Sequence, residues 1–222
     1  MKLTFFILPI LLFQFTFTDL RALSNPSTGV EKYLVDRLNH TDKRYPSFLL
    51  ALALMQKCKA KTLVETGTAR FGLHEFMDNT EFKGDGGSTI IFGHWASENK
   101  AFLSSVDISP QAVLNVRKVI GVYGAHVQVF EDDSVRFLKN FSKPVDFLYL
   151  DSFDYDPNNP GPSQEHHLKE LTAILPKLHK KTIIMIDDCD LPNGGKGKLA
   201  IKYLKSKGWK VLYSGYQVIM MQ

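Results

Sequence analysis

Apolar residues in this chain gather into short dense runs, separated by longer stretches in which they recur at helical spacing. The first run, Lys61-Thr62-Leu63-Val64, ends in Glu65 and a glycine turn at Gly67. Further strands are predicted over 102–108, 126–130, 145–150 and 182–186, rich in branched and aromatic residues. Helical spacing predicts helices over 29–39 (Val30, Leu34, Val35, Leu38), 46–59, 110–119, 134–140, 163–178 and 198–207. Another runs from 88 to 100, with Ser88 or Thr89 as its cap. The chain closes with strands at 209–213 and 216–221 around the turn Ser214-Gly215. Strands alternating with helices imply an α/β fold, doubly wound, with a mainly parallel seven-stranded sheet, helices on both faces and a C-terminal antiparallel hairpin.

Strand after strand ends in an acid: Glu65, Asp107, Asp133, Asp151 and Asp187 with Asp188. Ligands of open α/β sheets bind at the carboxyl ends of the strands, so these carboxylates border one crevice. The turn after Glu65 lacks the G-x-G-x-x-G spacing that cradles a pyrophosphate, and a carboxylate there would repel one. The crevice suits a ligand with hydroxyls, amines and positive charge, as in S-adenosylmethionine. Asp107 lies 21 residues after Gly86, close to the spacing at which an acid meets a ribose.

Glu65-Thr66-Gly67, Ser105-Val106-Asp107, Asp133-Ser134, Leu148-Tyr149-Leu150-Asp151 and Ile186-Asp187-Asp188 resemble the successive motifs of class I S-adenosylmethionine-dependent methyltransferases, which have a Rossmann-like fold. The acids resemble those of metal-dependent O-methyltransferases of the catechol and macrocin types. The resemblance implies that Glu65 and Gly67 shape the methionine end of a cofactor site that also includes Thr68, Gly86 and Ser88, with Gly72 or the Gly84-to-Gly87 turn in the second glycine's part. It implies that Asp107 holds the ribose, that Asp133 and Ser134 border the adenine, and that Asp151 also belongs to the cofactor site. Asp151, Asp187 and Asp188 match the positions where those enzymes bind Mg²⁺. The implied reaction moves a methyl group from S-adenosylmethionine to a hydroxyl of a small-molecule acceptor with the assistance of bound Mg²⁺. Asp151, His166 or His167 are the candidate proton acceptors, and Asp154 and Asp156 are further candidates for the metal or a base. A catalytically silent secreted binding protein on the same scaffold is the alternative. The departure from the family pattern is the long connection from Thr68 to Gly87.

Composition changes this picture little. At 222 residues, 44% hydrophobic and 23% charged, the chain is one ordinary globular domain. A net charge of +4 with dispersed lysines does not describe a nucleic-acid footprint. Cys58 and Cys189 have neither disulfide-framework nor metal spacing. Residues 1–24 differ: Lys2, an apolar stretch to Thr18 and then Ala22-Leu23-Ser24 have the layout of a secretory signal peptide. The apolar stretch is shorter than the ~20 residues a membrane span needs. The expectation is a signal at 1–24, a methyltransferase domain at 25–222 and a secreted or secretory-route protein without a stable membrane span, with a cytoplasmic location as the alternative. Oligomeric state is not legible in the sequence.

Overall fold

The computed structural model describes residues 29–35, 37–70 and 87–222. Their seven strands form one sheet: β1 (Thr62–Thr66), β2 (Phe102–Asp107), β3 (Val127–Glu131), β4 (Val145–Leu150), β5 (Leu178–Ile186), β6 (Lys210–Ser214) and β7 (Val218–Met221). The order is β3-β2-β1-β4-β5-β7-β6. β1 to β5 are parallel, and β7 runs antiparallel to both β5 and β6. The order reverses between β1 and β4, which leaves a crevice outside their carboxyl ends.

Alternate residues of the central strands go to opposite cores, so both faces are buried. Phe147, Tyr149, Ile183 and Met185 pack under α1 (Tyr45–Cys58), α2 (Gly87–Glu98) and α3 (Pro110–Ile120). Leu148, Leu150, Ile184 and Ile186 pack under α4 (Ser134–Asn140), α5 (Gly161–Ile174) and α6 (Lys198–Ser206). α1 is buried continuously from Ser47 to Met55, as expected of a helix apolar on all sides.

The elements depart from expectation in four places. The helix expected over 29–39 is only a 3-10 turn at Glu31–Tyr33 followed by irregular turns. Val30, Leu34 and Leu38 reach the core while Val35 stays 58% exposed, and Asn39 ends the segment by accepting from the Thr41 N–H at 3.0 Å. Ser88 and Thr89 lie inside the first turn of α2 and are not its caps. α5 stops at Ile174 because Pro176 cannot continue the helix; a 3-10 turn, Leu175–Lys177, follows. β5 begins at Leu178, ahead of the expected 182, with the polar residues His179 to Lys181 forming an irregular entry.

Gly72 and Gly86, and the candidate signal segment 1–24, lie outside the described residues. No helix among the described residues is long and apolar enough to cross a membrane. Both cysteines are free.

Candidate active site

At the end of β1 the backbone turns at Gly67, where φ is +81° and an added Cβ would sit 2.4 Å from the Asp151 carbonyl oxygen. Only glycine meets both demands, so β1 and β4 can end in close contact. Glu65 is fully buried beside this turn. Its Oε2 accepts from Thr89 Oγ1 at 2.7 Å and from Ser105 Oγ at 2.6 Å. Its Oε1 is buried without a partner among the described residues. Burial pushes the Glu65 carboxyl up to about 7, against the pull of the neighbouring hydroxyls.

Asp107 is pinned at the end of β2 by two backbone donors. Its Oδ2 accepts from the Thr68 N–H at 3.0 Å and its Oδ1 from the Ser109 N–H at 2.7 Å. Each oxygen keeps a lone pair for a further donor. Thr68 and Ser88 line the crevice next to these acids.

The other end of the crevice is formed by β4 and β5. Asp151, Asp187 and Asp188 each present an oxygen within 4.8 Å of the others. Lys196 reaches into this group, its Nζ 2.9 Å from Asp151 Oδ1 and 3.1 Å from Asp188 Oδ2, and it also donates to the Ser152 carbonyl at 3.2 Å. Although burial alone would lower the Lys196 pKa, the carboxylates of Asp151, Asp188 and Asp187 raise it. Asp187 is buried, and Gln217 Nε2 donates to its Oδ1 at 2.7 Å. Burial, then Asp151 and Asp188, hold the Asp187 carboxyl well above the usual carboxylate range. The Tyr216 hydroxyl donates to Asp188 Oδ1.

Residues 83–189 match the family model described as a methyltransferase domain. That match covers just under half of the chain. The chain shares its fold with the methyltransferase PaMTH1 of Podospora anserina, solved with S-adenosylhomocysteine (SAH) bound. The two are 15% identical with a TM-score of 0.56 over 98% of this chain and 99% of that one. A putative caffeoyl-CoA O-methyltransferase of Staphylococcus aureus is 13% identical, with a TM-score of 0.57 over 92% of this chain and 97% of that one. The MycE methyltransferase of the mycinamycin biosynthetic pathway, solved with Mg and SAH, is 12% identical. Its TM-score is 0.56, over 91% of this chain and 54% of that one. No curated protein sequence matches the chain.

Within this fold, the residues read from sequence divide into three groups. Gly67, Thr68, Ser88, Asp151, Asp187 and Asp188 line the crevice, and behind its β1–β2 end Asp107 holds the Thr68 N–H and the buried Glu65 holds Thr89. Asp133 caps α4 by accepting from the Arg136 N–H at 2.8 Å, and Ser134 Oγ lies 3.0 Å from His166 Nε2. The third group is the histidines, neither of which lines the crevice. His166 Nε2 faces Ser134 and, at 3.4 Å, Glu170 Oε1. His167 is fully buried, its Nδ1 against the Ser163 carbonyl at 2.7 Å, and burial lowers its pKa. A neutral interior imidazole packed in this way serves the α5 core.

Lys196, Gln217 and Tyr216 are residues of the site that escaped the sequence reading. Lys196 was hidden in what reads as a Gly-Gly turn, although a single lysine flanked by Gly194, Gly195 and Gly197 was the available signal. Gln217 is fully buried and links Asp187 to the Tyr149 hydroxyl, which it meets at 2.9 Å, and to Ser47 Oγ at 2.5 Å. A lone amide at the mouth of an apolar strand was its mark.

Proposed function

We propose that this domain moves a methyl group from S-adenosylmethionine to a hydroxyl of a small-molecule acceptor. The observation carrying this reading is the β1–β2 end of the crevice. There a glycine turn, a buried carboxylate oxygen without a partner and a pinned carboxylate with free lone pairs lie side by side. The residues suit that cofactor: Asp107 would accept from the ribose hydroxyls, and the open side of Glu65 favours a cationic or amino group. SAH in the similar PaMTH1 and MycE folds agrees with this choice.

When bound, S-adenosylmethionine supplies a methyl group already activated on a sulfonium. The chain must then align the acceptor oxygen and take its proton. The new O–CH₃ bond forms as the S–CH₃ bond breaks, its electron pair passing to sulfur, and the hydroxyl proton leaves to a base. Asp151 is the base we propose, since it lines the crevice and is more open than Asp187.

The resemblance also implies Mg²⁺ at Asp151, Asp187 and Asp188. Oxygen donors suit a hard cation. Here, however, the Lys196 ammonium already lies on Asp151 and Asp188, and Tyr216 takes the other oxygen of Asp188. The residues as placed do not fit a divalent ion, and the reaction proposed here uses none.

Titration calorimetry with SAH, followed by methyl transfer from labelled cofactor to a library of hydroxylated small molecules, tests the proposal. Absence of binding overturns it. Binding without transfer to any acceptor leaves the silent binding protein as the correct description. We further propose that residues 1–24 direct the chain into the secretory route; a tagged chain that stays cytosolic with an uncut amino terminus refutes this.

A further inference from the structure

Lys196 is the one lysine buried among the described residues, at 3% exposure. An ammonium is removed from water only where charges or carbonyls replace its hydration. All of its recorded partners here, Asp151, Asp188 and the Ser152 carbonyl, belong to the acid end of the crevice.

The loop that delivers it is built for that purpose. Gly194 and Gly195 have φ of +87° and +54°, a region L side chains rarely adopt. A Cβ at Gly195 would sit 1.7 Å from the Asp188 carbonyl oxygen, and one at Gly197 would sit 2.6 Å from Cys189 Sγ. The Lys196 N–H donates to the Asp188 carbonyl at 3.0 Å. Asp188 itself is held at φ +51°, uncommon for a residue with a side chain. From the far side, Gln164 Nε2 donates to the carbonyl of Gly195 at 3.0 Å and to that of Asn193 at 3.2 Å. Glycines on both sides, a left-handed aspartate and a clamp from α5 all press one lysine onto one acid cluster.

From this geometry we propose that Lys196 is the built-in cation of the acid centre. Its ammonium stands where a divalent metal would stand, orients Asp151 and Asp188 toward the crevice, and makes the centre independent of divalent metal. The part concerning Asp151 as proton acceptor rests on the methyl-transfer reading above; the replacement of metal does not. Mg²⁺ or Mn²⁺ shared among these three acids would draw on two carboxylates that Lys196 already holds, bringing two cations to the same groups. Lys196 is a positioning residue in this account, acting on the acceptor through Asp151.

Mn²⁺ titration of the cofactor-free full chain, followed by electron paramagnetic resonance, tests the replacement without any acceptor. Wild-type protein should leave added Mn²⁺ free. Lys196→Met should bind it at least about tenfold more tightly, because a like charge has left a hard-cation site. Adding Asp187→Asn to that variant should remove the gain, which a merely structural lysine would not produce. Equal Mn²⁺ affinity in wild type and Lys196→Met, or binding by neither, overturns the proposal. Should Lys196→Met fail to fold, the wild type decides alone: tight Mn²⁺ binding lost in Asp187→Asn overturns the proposal, and free Mn²⁺ supports it. SAH calorimetry on the same samples keeps the two ideas apart, since lost cofactor binding would sink the functional reading and leave the Mn²⁺ result standing.

Discussion

At the β1–β2 end of the crevice, Glu65 and Asp107 are held by neutral donors: two hydroxyls on one, two backbone N–H groups on the other. At the β4–β5 end, Asp151 and Asp188 share the Lys196 ammonium, and Asp187 is held by an amide. Neutral donors orient a carboxylate without cancelling its charge, and a cation beside Glu65 would displace the proton that burial otherwise holds up to about pH 7, so the first pair suits the proposed cationic ligand rich in hydroxyls. A buried ammonium answers the charge from inside, so the second group has less need of an external cation. Acids that look equivalent as strand ends therefore do different work, and what separates them is the partner the fold brings to each.

The largest expected effect comes from breaking the glycine that delivers Lys196. Gly195→Ala puts a methyl group into the Asp188 carbonyl at a left-handed position, so the loop must leave. We expect a loss of roughly 3 kcal/mol or more in denaturant unfolding. Gly67→Ala, with its Cβ 2.4 Å from the Asp151 carbonyl, should damage both ends of the crevice together. A Gly195→Ala protein of wild-type stability would contradict the close packing on which the contrast depends.

The second effect is electrostatic. The unfolded chain gives up the Glu65 proton near pH 4.5, whereas the folded protein keeps it up to about 7. Between those values the folded state binds more protons, so the contribution of Glu65, full below pH 4.5, is lost as pH rises to 7. The drop is roughly 3 kcal/mol for a shift of this size. Asp187, also raised, adds a fall of the same sign, so the informative quantity is the difference between wild type and Glu65→Gln. The variant should lack its share of the slope in stability measured from pH 4 to 8, and identical slopes would refute the buried, orphaned carboxylate.

Much of this was legible in the sequence because it depends on local order. An acid directly after an apolar run reports a strand end, and Glu65, Asp107, Asp151 and Asp187 all fall where that rule puts them. The closing hairpin was legible from Ser214-Gly215 for the same reason. What escaped depends on contacts distant in sequence. Thr89 reads as a helix cap, yet its hydroxyl is spent on Glu65 and on the Ala69 N–H at 2.9 Å. Lys196 meets Asp151 across 45 residues, and no periodicity marks that pairing. Over 29–39, spacing placed Val30, Leu34 and Leu38 inward correctly, but three inward residues do not make the backbone helical.

A third effect should fall on binding alone. On the proposed reading, Asp107→Ala would leave two ribose hydroxyls without their acceptor, and it frees the Thr68 and Ser109 N–H groups. With charged hydrogen bonds worth about 1.5–3 kcal/mol each, SAH affinity should fall about a hundredfold or more. Asp107→Asn retains one acceptor oxygen and should lose less. Wild-type affinity in Asp107→Ala would remove the ribose assignment, and with it the claim that the β1–β2 end is the ligand-ready one.

The smallest effect marks the edge of the acid end. Asp154 also lines the crevice, so proximity alone would count it as a fourth acid of that centre. Its environment differs: its side chain is 76% exposed, and its ion pair is with Arg70, itself 45% exposed, at 2.6 Å. Exposed pairs of this kind are screened and hold two mobile side chains in place, so they contribute little, about 0–1 kcal/mol. Asp154→Asn should therefore shift stability by less than about 0.5 kcal/mol and leave Mn²⁺ behaviour and SAH affinity as in wild type. If the substitution instead lowered methyl transfer as much as Asp151→Asn does, exposure would be the wrong criterion. The working acids would then extend past the reach of Lys196 to the crevice rim, where no buried cation answers their charge and an external one could.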